Sequence, residues 1–83
     1  MNTQTILENT SPIHSDPEIM SGIPVFVGTR VPARTLFDYL LDGSSVAEFL
    51  DNFPSVKKDQ VTRLLEIASS RVLEEIDLYE NTH

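Results

Sequence analysis

Three chain breakers, Pro32, Gly43 and Pro54, cut the apolar pattern of this chain into segments that suit helices and little else. Proline fits the first turn of a helix, because its ring already holds the helical φ and its missing N–H has no partner there. Residues Ala33 to Asp42 carry Leu36, Phe37, Leu40 and Leu41 on one face, and Gly43 supplies a left-handed stop. Ser45-Val46-Ala47-Glu48 has the form of a capping box, in which the Ser45 hydroxyl takes the Glu48 N–H and Glu48 reaches back. The helix it opens sets Val46, Phe49, Leu50 and Phe53 on one stripe. Pro54 disfavours helical geometry at Phe53 and ends it. A third helix is predicted from about Lys58 towards Tyr79, with Val61, Leu64, Leu65, Ala68, Val72, Ile76 and Tyr79 on one face. It would span about 30 Å, more than a small domain needs. Its distal part, "VLEEIDLYE", is therefore expected to project or to pack on something else. Ile67, Leu73 and Leu78 lie off the stripe. They are either exposed residues with no role or a second interface.

Before the first helix comes "GIPVFVGTRVP", Gly22 to Pro32. Strand formers flank Gly28-Thr29, and a two-residue loop with glycine first predicts a type II′ hairpin turn. Arms of about three residues are not stable alone. They must lie on the helices or pair with another chain, and Pro24 confines its arm to edge pairing. Val25, Val27, Arg30 and Val31 are accordingly read as a dimerisation seam. The predicted fold class is mainly α: a short N-terminal β-hairpin, then a three-helix, helix-turn-helix-like domain with a long third helix. Residues 1–15 read as a flexible N-terminal tail, 16–80 as a single domain, and 81–83 as a C-terminal tail.

A chain of 83 residues makes one domain with a marginal core. It has no cysteine, which removes disulfides, thiolate catalysis and cysteine-ligated zinc. Its histidines, His14 and His83, sit at opposite ends, so no shared metal site is expected. Association with another chain is the remaining stabiliser, and a homodimer is expected. The N-terminus lacks the basic flank and apolar run of a signal peptide, and no stretch is long enough to span a membrane. A soluble, cytoplasmic protein is the expectation. Asp38 and Asp42, and the acids of the last helix, have no histidine, serine or lysine arranged beside them. No phosphate-cradling glycine loop is present. The chain is therefore expected to be no enzyme, with no catalytic residues, no cofactor, no metal and no small-molecule substrate.

The net charge of −7 is unevenly spread. Residues 1–29 contain acids only, residues 30–63 contain five of the six bases, and residues 64–83 carry −4. A wholly non-specific nucleic-acid binder is basic overall, and this chain is not. A local basic patch with an acidic tail suits a protein with two different partners. Lys57, Lys58, Gln60 and Arg63 surround the start of the third helix, where a helix-turn-helix enters the major groove. Lysine and arginine would hold phosphates, and Gln60 or Arg63 would read base edges. Two lysines oppose the positive end of the helix dipole, so local stability does not account for them.

Gly22, Pro24, Gly28-Thr29-Arg30-Val31-Pro32, then Gly43, the Ser45–Glu48 cap, Phe53-Pro54, Val56 and Val61 together resemble the bacterial domain of unknown function family 433. The resemblance covers about Asp16 to Ser70. It implies a homeodomain-like, winged-helix-type fold and an antitoxin-like role beside a PIN-like nuclease toxin. It implies no catalytic residues. Where family members often have a Thr or Ser cap followed by Pro before the third helix, this chain has Lys57 and Lys58. On that reading the helix-turn-helix would bind operator DNA, and Glu74, Glu75, Asp77 and Leu78 would occupy a basic groove on the toxin. A stand-alone DNA-binding regulator, or a structural homodimer or adaptor that binds no nucleic acid, are the alternatives.

Overall fold

The computed structural model of the chain describes residues 11–81. Most of the two expected tails, and His83, lie outside the described residues. Besides a 3-10 turn at Met20–Gly22, the described residues form, in order, β1 (Ile13–His14), β2 (Val25–Phe26), α1 (Ala33–Leu41), α2 (Val46–Asn52) and α3 (Lys58–Asn81). The domain is mainly helical, with a short antiparallel hairpin at its start and a long third helix, as the breakers and stripes predict.

The hairpin is wired differently from the expectation. β2 pairs antiparallel with β1, which lies in the segment read as tail, in the register Ile13 with Phe26 and His14 with Val25. The arm after Gly28 also returns along β2, but as a single bridge between Val25 and Pro32. Phe26 N–H donates to the Val31 carbonyl, and Ala33 N–H donates to that of Pro24. The turn sits one residue earlier than predicted. Thr29 N–H donates to the Phe26 carbonyl at 3.0 Å, which centres the turn on Val27 and Gly28. Gly28 has φ +80°, the left-handed value a type II turn needs at its second central position. The shift has a physical cause in Thr29. Its side chain is buried, and its hydroxyl donates to the Phe26 carbonyl (2.9 Å) while accepting the Val31 N–H (3.0 Å). A type II′ turn centred on Gly28-Thr29 would make Thr29 part of an exposed loop tip and dissolve both bonds.

The connection from β1 to β2 begins with an Asp16 turn, where Glu18 N–H donates to the Asp16 carboxylate at 2.9 Å. It then turns through three successive left-handed residues, Met20 (φ 51°), Ser21 (φ 57°) and Gly22 (φ 86°). Each non-glycine residue held there costs about 1–2 kcal/mol.

The helix ends follow local chemistry. At the end of α1, Gly43 adopts φ +88°; its N–H donates to the Leu40 carbonyl and the Ser44 N–H to that of Tyr39. These are the two bonds of a Schellman stop. The α2 capping box is formed in both directions, Glu48 N–H to Ser45 Oγ (3.1 Å) and Ser45 N–H to Glu48 Oε1 (3.0 Å). Leaving α2, Phe53 departs from helical geometry before Pro54, with φ −127° and ψ 70°.

The core lies where the hairpin, α1, α2 and the first half of α3 meet. Phe26, Phe49, Leu36, Val25 and Val61 are fully buried. Phe49 is its centre: its ring lies 6.0 Å from Phe26, 5.5 Å from Tyr39 and 5.0 Å from Phe53. Tilted and edge-on rings at such distances add to plain area burial. The Tyr39 hydroxyl reaches the rim and accepts from Asn52 Nδ2 at 3.0 Å.

Candidate functional site

The stripe of α3 splits at Ala68. Before it, Val61 and Leu64 are buried and Leu65 packs against the core. After it, every described residue from Ser69 onward is exposed. Val72 (54 %), Leu73 (57 %), Ile76 (43 %), Leu78 (65 %) and Tyr79 (73 %) all present apolar surface to solvent. The helix nevertheless runs on to Asn81. A half-helix of this length is marginal in water without a packed face. The distal half of α3, with its exposed apolar residues, is the candidate functional surface of the domain.

The sequence-derived residues Glu74, Glu75, Asp77 and Leu78 all fall on this projecting half, and all are exposed. With 100° between successive residues, Glu74, Asp77 and Leu78 lie on the side turned away from the Val72–Ile76–Tyr79 stripe, whereas Glu75 borders it. Ile67 lies under Leu78 and Glu74 on the outer face. Arg63, Glu66, Ile67, Ser70, Arg71 and Glu74 line a shallow groove along that face. Distal α3 thus has an apolar stripe and a separate acidic face.

The basic start of α3 is only partly available. Lys57 and Lys58 are exposed. Gln60 is engaged within the chain: its Oε1 accepts the Lys57 N–H (2.9 Å), and its Nε2 donates to the Val27 carbonyl (2.9 Å). The first contact is the backward half of a capping box, since Lys57 is the N-cap residue and Gln60 the third helical one. Lys57 has no side-chain oxygen for the forward half. The second contact ties α3 to the hairpin turn. Gln60 is therefore a clasp in this structure, and its amide is not presented to a base edge. Arg63 is half-buried beside Asp59, Pro12 and Val27.

The hairpin residues divide in the same way. Val25 and Val31 are buried in the chain's own core, so they are not presented to a partner. Val27 is 46 % exposed and Arg30 is at the surface. The free strand edge expected there is absent: β2 is flanked by β1 on one side and by the Val31–Pro32 arm on the other. The Val27 N–H is also taken, by the Pro12 carbonyl at 3.0 Å. Val25, Val27, Arg30 and Val31 therefore do not form a continuous seam.

Sequence reasoning missed the Gln60 clasp and the Thr29 bridge. The first had a local signal, a glutamine three residues after the N-cap. The second had none, because a threonine after a turn glycine is equally at home in an exposed loop. Among the described residues, no group of three or more His, Asp or Glu is placed to hold a metal ion, and no helix is long and apolar enough to cross a membrane.

A small helical domain opened by a short hairpin, with a third helix that outruns its own core, is the class these features define. A family model described as "Protein of unknown function (DUF433)" matches residues 13–68, and the chain belongs to that family. The match runs from β1 to the point on α3 where the stripe emerges from the core. A crystal structure of a DUF433 member protein from Anabaena variabilis ATCC 29413 superimposes with a TM-score of 0.63. That protein is 24 % identical, and the alignment covers 92 % of this chain and 74 % of the other. At that identity the likeness speaks for the fold. No curated protein matches the chain.

Proposed function

We propose that this chain is a protein-binding module of antitoxin type, which docks the outer face of distal α3 on a basic groove of a nuclease-type protein partner. The observation that carries the reading is the projecting helix itself: Glu74, Asp77 and Leu78 stand exposed on a helix that the domain's own fold does not require at that length. Four acids and one base lie between Arg71 and Asn81. A helix with that balance is drawn to a positively charged groove, and the attraction raises the association rate more than the final affinity. A groove that binds RNA is basic for the same reason, so occupying it would block substrate. Leu78 and Ile67 supply the apolar contact that would make the complex last.

The test is co-expression with the product of the neighbouring gene, followed by capture through a tag on this chain. Co-purification that is lost in a Glu74→Lys/Asp77→Lys variant supports the reading, and so does relief of the neighbour's toxicity. A neighbour that neither co-purifies nor becomes less toxic refutes it.

Operator binding is the second reading, and one observation favours it: Lys57 and Lys58 remain exposed at the helix start where the dipole disfavours them. With Gln60 engaged elsewhere, this reading rests on phosphate contacts from Lys57 and Lys58, with Arg63 the candidate for base contact. It predicts weak, salt-sensitive binding of duplex DNA. Under this reading the chain would act as a regulator with or without the protein partner.

A further inference from the structure

We propose that the apolar stripe of distal α3 is a self-association seam, through which two copies of this chain pair antiparallel about a two-fold axis near residue 74. The stripe is the continuation of the core face. Val72, Ile76 and Tyr79 follow Val61, Leu64, Leu65 and Ala68 at the same helical angle; among the described residues Val61, Leu64 and Leu65 pack in or on the core, whereas Val72, Ile76 and Tyr79 are exposed. Among the described residues, the body therefore ends part-way along this apolar face.

A second copy fits this face in shape and charge. In the antiparallel arrangement Val72 lies against Ile76 of the partner subunit, and the reciprocal contact repeats it. The Tyr79 ring reaches the level of the partner's Ala68 and the partner's Ser69, small residues that leave it room. The Ser69 hydroxyl is already turned back onto the Glu66 carbonyl at 3.0 Å, so the seam gains no unpaired donor there. Antiparallel pairs bring like flanks together. One flank of the stripe is Leu73, which would meet the partner's Leu73. The other flank carries Arg71 and Glu75 one turn apart, and the two-fold brings Arg71 beside the partner's Glu75. A parallel pair would instead set the Arg71/Glu75 flank against the flank that carries the partner's Leu73, and the two reciprocal ion pairs would be lost. The charges of the flank are thus self-complementary in one orientation only.

Arg71 borders both the seam and the acidic outer face, but Glu74, Asp77 and Leu78 point away from the seam. A dimer leaves that face open to a basic partner, and failure of either idea leaves the other standing. It also replaces the hairpin as the place where two copies meet.

Sedimentation equilibrium on the full chain tests the proposal. The wild-type chain should be a dimer that dissociates on dilution. Ile76→Glu should be monomeric while its core unfolds at the same denaturant concentration as the wild-type chain diluted until it is monomeric. Arg71→Glu alone and Glu75→Arg alone should each weaken the dimer by about tenfold, since two reciprocal pairs become repulsive. Mixing those two variants should restore association, because each then offers the other its missing charge. That rescue separates the seam from an effect within one helix, where mixing changes nothing. A chain that is monomeric at all concentrations, a dimer indifferent to Ile76→Glu, or a mixture that stays dissociated would each overturn it.

Discussion

Gln60 joins the start of α3 to the hairpin turn, and its replacement by alanine separates the two roles it could play. The substitution removes the acceptor for the Lys57 N–H and the donor to the Val27 carbonyl. Each bond is partly solvated and contributes roughly 0.5–1 kcal/mol net. Alanine returns a few tenths of a kcal/mol through its higher helix propensity, roughly 0.3. The net loss is then about 1 kcal/mol, and in a domain of this size it lowers Tm by about 4–8 °C. A second variant, Gln60→Glu, keeps an acceptor for Lys57 and adds a favourable charge at the positive helix end, but it sets a carboxylate against the Val27 carbonyl. It should recover roughly half of the loss. Thermal unfolding followed by circular dichroism, with a urea titration on the same samples, measures both. If Gln60→Ala unfolds like the wild type and its only effect is on affinity for duplex DNA, the clasp is of no consequence and the base-reading assignment for Gln60 is right.

Other substitutions test the remaining structural claims. Thr29→Val keeps the shape and leaves the Phe26 carbonyl its bond from the backbone N–H of residue 29, but strands the Val31 N–H in a buried place, and should cost about 1–3 kcal/mol by urea titration. Gly28→Ala meets no atom within 4 Å, so only its left-handed backbone matters; the expected loss is about 1 kcal/mol, and an unchanged midpoint would mean that the turn has been misread. Phe49→Ala empties the centre of the aromatic cluster at a cost of about 3–5 kcal/mol, and should abolish the cooperative melt. For DNA, Lys57→Ala/Lys58→Ala should reduce the slope of log affinity against log salt by about 2, one phosphate contact each; an unaltered slope in a filter-binding or anisotropy titration would remove these lysines from the interface.

The parts of the fold that were legible in the sequence are those fixed within one or two turns of chain. The Ser45–Glu48 box and the Gly43 stop depend on neighbours three to five residues away, and both formed as read. The hairpin was legible as a hairpin but not in its pairing. Its strand partner, Ile13–His14, carries no alternation long enough to stand out from the polar residues around it. Gly28 is left-handed in either turn type, so it could not decide between them. The buried Thr29 hydroxyl decided it, through its bonds to the Phe26 carbonyl and the Val31 N–H. The candidate surface divides likewise. That the distal half of α3 outruns the core followed from counting residues per turn. Which hairpin residues face a partner did not, because the burial of Val25 and Val31 is set by helices distant in sequence.

Val27 has a further consequence, for the order in which the chain assembles. Its N–H reaches Pro12 and its carbonyl reaches Gln60, 33 residues on. Helix formation and capping in this chain are local events and close no loop. The two contacts at Val27 each close one, and the entropy lost grows with the logarithm of the loop length. The junction therefore forms late unless a collapsed core has already brought its parts together. Substitutions there should mainly accelerate unfolding, whereas those in the Phe49 cluster should slow folding. A chevron analysis of Gln60→Ala beside a mild core variant such as Val61→Ala would display the two behaviours on opposite limbs.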